Sequence, residues 1–136
     1  MSRVLGIDHG DKKIGLAVSD KSRIIATPID YIFNDDNLIE NLKKLINEYE
    51  IAEFVIGLPL MLSGEESIQT EKVRDFKDFI ENELQIEMNF LDERLTTSYA
   101  EKLLISGNMK RKKRKEKIDS LSAQIILQNY LDKTQK

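Results

Sequence analysis

Three acidic residues and one run of cations are the parts of this sequence able to act on a charged substrate. Asp8 closes the apolar run Arg3-Val4-Leu5-Gly6-Ile7 and is followed by His9-Gly10 and then Lys13-Ile14-Gly15-Leu16-Ala17-Val18-Ser19-Asp20. A carboxylate at the end of a central strand can coordinate a hard cation in a cleft. Gly10 permits a tight turn, and Gly15 permits a backbone or a phosphate to come close. The plainer reading is that Asp8 opens a hairpin turn, a common use of Asp before Gly. The second carboxylate is Glu93, in Asp92-Glu93-Arg94 directly after another apolar run. There Arg94 can pair with an acid or grip a phosphate with two parallel hydrogen bonds, and a solvated strand–helix loop is the alternative. Asp119 follows Lys117-Ile118 and is expected in the first turn of the last helix, where the helix dipole favours an acid with no further purpose. What singles it out is the neighbouring run of cations.

That run is Lys110-Arg111-Lys112-Lys113-Arg114-Lys115. Six consecutive cations repel one another, so the sequence predicts a loop between two helices that a phosphate backbone would order. A solvated basic patch is the alternative. The overall charge of −3 conceals the asymmetry: residues 110–117 carry seven bases and one acid, and the rest of the chain fourteen bases and twenty-three acids. An acidic protein with one dense basic patch does not look like a general nucleic-acid coat, but it can hold a polyanion at one place. His9, the only histidine, is a candidate base or metal neighbour, although a half-buried packing role is the simpler assignment.

The elements that must position these groups follow from periodicity. Residues 3–7 and 13–18 read as two strands around a polar turn, and 24–32 as a third apolar stretch, in which Pro28 marks either a sheet edge or a break. Leu38, Leu42, Leu45 and Tyr49 form a helical stripe, with Asn37 and Glu40 at capping-box spacing. Residues 53–57 read as a buried strand ending at Gly57-Leu58-Pro59. Val73, Phe76, Ile80 and Leu84 mark a second helix, and residues 86–91 a fifth strand. Residues 96–105 suggest a third helix, and Ile118, Leu121, Ile125 and Leu131 a final one. Three strands on short turns, then strand–helix alternation, predict an α/β fold: a five-stranded mixed sheet, antiparallel at first and then parallel, with helices on both faces. Sites in such sheets gather at the carboxyl ends of strands, where Asp8 and Glu93 fall. The apolar loop Pro59-Leu60-Met61-Leu62 either walls that cleft, meets a partner or folds back on the core.

The 136 residues suit one domain, 1–136, able to bury roughly two-thirds of its unfolded surface. With no cysteine, disulfide frameworks and thiolate zinc sites are excluded. The first apolar run is too short for a signal peptide, and no segment approaches roughly 20 apolar residues. The expectation is a soluble cytoplasmic protein without a membrane partner.

Together the segments resemble the YqgF family, also called RuvX-like, whose members are known as pre-16S rRNA nucleases or Holliday junction resolvases. Four blocks carry the resemblance: Gly6-Ile7-Asp8 through Ser19-Asp20; Gly57-Leu58-Pro59-Leu60 with Gly64; Asp92-Glu93-Arg94-Leu95-Thr96-Thr97; and the basic run leading to Asp119 and Ile126-Leu127-Gln128-Asn129-Tyr130-Leu131. They span nearly the whole chain, and His9 is the one departure. The resemblance implies an RNase H-like fold and an acidic site of Asp8, Glu93 and Asp119. Two Mg²⁺ or Mn²⁺ ions suit such oxygen ligands and phosphodiester hydrolysis. A fourth acid is often needed; Asp11, Asp20 and Asp92 are close in sequence. Arg94 and the cations Lys110, Arg111, Lys112, Lys113, Arg114 and Lys115 would hold the nucleic acid, whether structured RNA, ribosomal precursor particles or branched DNA. A resolvase would act as a homodimer, whereas RNA trimming needs only a monomer.

Two rivals remain. A non-catalytic ribosome-assembly factor would use the same cations without the acids. A nucleotide-binding fragment of the actin/hexokinase type shares the Gly-x-Asp-x-Gly turn, but such proteins close two domains around the nucleotide and this chain has length for one.

Overall fold

The computed structural model describes residues 2–61, 63–92 and 111–134, and the side chains of all of these except 111–120. In chain order the elements are β1 (Arg3–Asp8), β2 (Lys13–Ser19), β3 (Ala26–Phe33), α1 (Leu38–Tyr49), β4 (Ile51–Leu58), α2 (Ile68–Leu84), β5 (Glu87–Asp92) and α3 (Arg111–Thr134). The strands lie in the order β3-β2-β1-β4-β5. β1 pairs antiparallel with β2 and parallel with β4; β2–β3 is antiparallel and β4–β5 parallel. The mixed sheet expected from the sequence is therefore present, with β1 at its centre and Pro28 on an edge strand. The helix expected at 96–105 lies outside the described residues.

Strand alternation divides the core in two. Leu5, Ile7, Ile14, Leu16, Phe54 and Ile56 face α1 and α2, meeting Leu38, Leu42, Val73, Phe76 and Ile80. Val4, Ala17, Val55 and Leu91 face α3, meeting Ala123, Ile126, Leu127 and Leu131. β1 is thus covered on both sides, and its side chains are fixed in two directions.

The helix ends differ from their sequence signatures. Asn37 caps α1 by position only, with no side-chain hydrogen bond; its own N–H donates to Asp35 Oδ1 at 2.9 Å. The capping box belongs to α2, where Ser67 and Thr70 satisfy each other's backbone N–H groups. Thr70 Oγ1 also donates to the carbonyl of Pro59, which ties the start of α2 to the end of β4. The larger correction concerns α3. Its first turns contain Arg111 to Lys115, so the cations form helix and not a connecting loop. Lys and Arg are good helix formers, and with no Gly or Pro between 111 and 134 propensity outweighs their mutual repulsion.

Polar contacts hold α3 at both sheet margins. Gln128 accepts from Ala26 N–H at 3.0 Å and donates to Ile24 O at 2.8 Å, and Gln124 donates to Ala26 O at 3.1 Å. On the other side the Tyr130 hydroxyl donates to Glu53 Oε2 at 2.8 Å, while Asn89 Nδ2 donates to that hydroxyl at 3.1 Å and Arg23 pairs with Glu53 Oε1 at 2.6 Å. Burial, with help from the Glu53 carboxylate, pushes the Tyr130 phenol up to about 12. The unfolded phenol ionises near pH 10. Between about pH 10 and 12 the unfolded chain therefore binds fewer protons, and stability falls as pH rises through that window. Tyr130→Phe is expected to cost about 1–2 kcal/mol at neutral pH through loss of a bond to a charged acceptor and to flatten the alkaline loss. Urea titrations at pH 7 and above 10 measure both.

Candidate active site

Asp8 ends the central strand at the carboxyl edge of the sheet. It pairs with Gly15 of β2, and the preceding Ile7 pairs with Ile56 of β4. Val4 packs among the α3-facing residues, and a Cβ placed on Gly6 would point straight at α3, 2.6 Å from Leu127 Cβ. By alternation Asp8 belongs to that same face. Half-buried, it is held by a strand that cannot yield, because β1 is hydrogen-bonded on both edges and packed on both sides.

The turn after Asp8 is tight. A Cβ on Gly10 would collide with the carbonyl of Lys13, so the glycine is required by close approach of the backbone. Asn34 closes the turn, donating through its side chain to Gly10 O at 3.2 Å and through its backbone to Lys12 O at 2.9 Å.

His9 leaves in the opposite direction to Asp8. Its ring meets Phe76 of α2 edge-on, with centroids 4.7 Å apart, so it belongs to the packing beneath the turn. Burial holds its pKa below the ordinary value, against the pull of Asp11. Nδ1 has no partner among the described residues.

Of the acids considered for a fourth position, Asp20 is ruled out. It follows β2 at the far end of the sheet, where its Oδ1 accepts from the N–H groups of Ile24 and Ile25 at 2.7 and 3.0 Å. Those two bonds hold its pKa low. Asp11 is exposed and pairs with Lys72 at 3.4 Å. Asp92 closes β5 and lines a shallow cleft with Leu91, Asn129, Asp132 and Lys133.

Glu93, Arg94 and Lys110 lie outside the described residues. For Asp119 only the backbone is described. It is the ninth residue of α3, well past the first turn, so the dipole explanation suggested by the sequence does not apply. The apolar loop after β4 divides: Leu60 packs onto the α1/α2 core, whereas Met61 is exposed.

Residues 2–133 match the RuvX family, described as Holliday junction resolvase. A protein of Sulfurihydrogenibium sp. named "Putative pre-16S rRNA nuclease" is 50% identical over 135 residues, spanning 98% of this chain and 92% of its own. A Dictyoglomus thermophilum protein of the same name is 47% identical over 132 residues, with 96% and 95% covered. Among solved structures, T. thermophilus RuvC in complex with a Holliday junction substrate superposes with a TM-score of 0.59 at 12% identity, covering 99% of this chain and 96% of that one. Fowlpox virus resolvase, with its junction DNA, gives 0.60 at 12%, covering 98% and 99%. At such identity the likeness establishes a shared fold.

Proposed function

The chain belongs to the RuvX family of RNase H-like proteins, and from that premise we propose that it is a metal-dependent nuclease hydrolysing phosphodiester bonds at the 5′ end of precursor 16S rRNA. The observation that carries this reading is the position of Asp8: a half-buried carboxylate at the carboxyl end of the central strand, on the face shared with α3.

Glu93 and Asp119 complete the proposed site. Asn89 and Leu91 of β5 both face α3, and Glu93 follows directly after the last residue of that strand in the sequence. Asp119 is four residues before Ala123, whose carbonyl lies 3.0 Å from where a Gly6 Cβ would be. One helical turn back from there, in the direction of the basic end of α3, supports its approach to Asp8. Three carboxylates offer the oxygen donors that Mg²⁺ or Mn²⁺ prefers, and would repel one another and a phosphate if left uncompensated. Two such ions would supply Lewis-acid stabilisation of the charge that develops on the phosphate. The chain's own share is to hold the donors rigidly and to bind the backbone on either side.

Arg94 and the cations from Lys110 to Lys115 are the proposed backbone contacts. On a helix, positions 111, 114 and 115 share one side, so only part of the run can meet one strand. Arg111→Glu with Arg114→Glu is expected to weaken binding more than tenfold at low salt. It should also reduce the slope of log affinity against log salt by about 1.5, for two lost phosphate contacts. Anisotropy titrations across a salt series give both numbers.

The single domain would act in the cytoplasm on ribosomal precursor particles. A second reading, a resolvase cutting branched DNA, is favoured by the family description and by the RuvC likeness in fold. Cleavage of precursor rRNA and of a four-way junction, compared at equal enzyme with Mg²⁺ or Mn²⁺, decides between them. Faster cleavage of the RNA supports the first reading, and faster symmetric cutting of the junction by a dimer replaces it. Inactivity on both leaves the non-catalytic assembly factor.

A further inference from the structure

A bulge decides where the end of the edge strand β3 points. Ile14 pairs with Ile32 and Leu16 with Ile29, so three steps on β3 match two on β2. Ile29 and Ile32 consequently both pack towards α1 and α2, which unbroken alternation would forbid. Tyr31 and Phe33, on either side of Ile32, stand on the other face, the one that carries Asp8. Lys13, paired with Phe33 across the strands, is there too. Its Nζ sits 4.6 Å from the centre of the Tyr31 ring, and the Tyr31 and Phe33 rings meet edge to face at 5.5 Å. Phe33 is 53% exposed, because α3 is bound to the opposite end of β3, at Ala26.

Only β2 separates this group from Asp8, and Asp8 pairs there with Gly15. No side chain of β2 rises from that point. Two strand spacings put the β3 group roughly 10 Å from β1.

We propose that Lys13, Tyr31 and Phe33 form a stacking platform for an unpaired base of the substrate, from which the strand crosses Gly15 to reach Asp8. This rests on the nuclease reading above. An open aromatic face with a cation beside it suits a base and its phosphate together, and it suits single strands because a duplex keeps its bases stacked on each other. Packing between neighbours two residues apart on one face of a strand would account for the contact between the rings, but it would give them no role in binding.

The chain has no tryptophan, so Phe33→Trp installs a single reporter on the platform. It is titrated with a short single-stranded RNA of mixed sequence, with Ca²⁺ replacing Mg²⁺. Saturable quenching of the tryptophan is expected. Tyr31→Ala should weaken binding about tenfold, the usual loss for one stacked base, and raise KM with little change in kcat. Tyr31→Phe should bind as the native chain does, which a role for the hydroxyl would not allow. The platform is overturned if the native chain binds and cleaves RNA while Tyr31→Ala binds equally well, or if a blunt duplex quenches as strongly as the single strand; the nuclease reading survives both. If the native chain neither binds nor cleaves nucleic acid, both readings fall.

Discussion

Asp8→Asn is expected to lower metal-dependent cleavage by about a thousandfold or more while leaving the fold intact. The amide has the carboxylate's shape but carries no charge, and a hard cation binds it far less well. Metal ions contribute several kcal/mol to charge stabilisation in such reactions, and each 1.36 kcal/mol is a factor of about ten in rate. Stability should move in the other direction. Asp8 ends a strand whose preceding residues, Val4 to Ile7, are buried on both faces of the sheet, and bringing Glu93 and Asp119 beside it, as the proposed site requires, would cost stability unless a cation compensates. Without metal, Asp8→Asn should therefore melt at or above the native temperature, the usual exchange between activity and stability at such sites. With Mg²⁺ or Mn²⁺ the native chain should gain melting temperature through linkage and the variant should not. Native-level cleavage by Asp8→Asn, from a preparation free of other nucleases, would remove Asp8 from the chemistry. Loss of cleavage together with loss of fold would show a structural role instead.

Much of this architecture is readable from residue order, for identifiable reasons. β1 is a short apolar run that stops at polar residues, as a doubly covered strand requires, and Asp8 is conspicuous because it ends that run. What is not readable depends on partners distant in sequence. The bulge opposite Gly15 reverses the phase of β3, and no local feature of residues 26–33 announces that Tyr31 and Phe33 will share a face with Asp8. The spacing of Asn37 and Glu40 resembles a capping box, yet the working box is Ser67 with Thr70, where a hydroxyl replaces the usual carboxylate and the carbonyl of Pro59 recruits it. Repulsion within the basic run predicts a loop, but helix propensity prevails and the cations join α3. A loop there would put Asp119 in a first turn, where its acidity needs no explanation. As the ninth residue of α3 it lies beyond the reach of that dipole.

Gly6→Ala is expected to destabilise the protein by about 3 kcal/mol, the upper end for forcing an extra methyl into a packed core. For a domain of this size that lowers the melting temperature by roughly 10 °C. Gly6 lies in a strand, and alanine at an unstrained position ordinarily stabilises by reducing the freedom of the unfolded chain, by about 0.4–1 kcal/mol. Here the added Cβ would stand 2.6 Å from Leu127 Cβ and 3.0 Å from the carbonyl of Ala123. Both atoms are fixed to the α3 backbone, so no side-chain rotation relieves the contact, and Leu127→Ala, which keeps its Cβ, should fail to rescue the variant. The helix must move off the strand instead. Because Gly6 is two residues before Asp8 and faces the stretch of α3 one turn after Asp119, that movement should separate the proposed ligands, and displacements near 1 Å can cost about a hundredfold in rate. Gly6→Ala should thus lose activity at temperatures where it is still fully folded, measured by cleavage well below its melting point. Unchanged cleavage there would mean that α3 contributes nothing to the site, and Asp119 would revert to a surface acid.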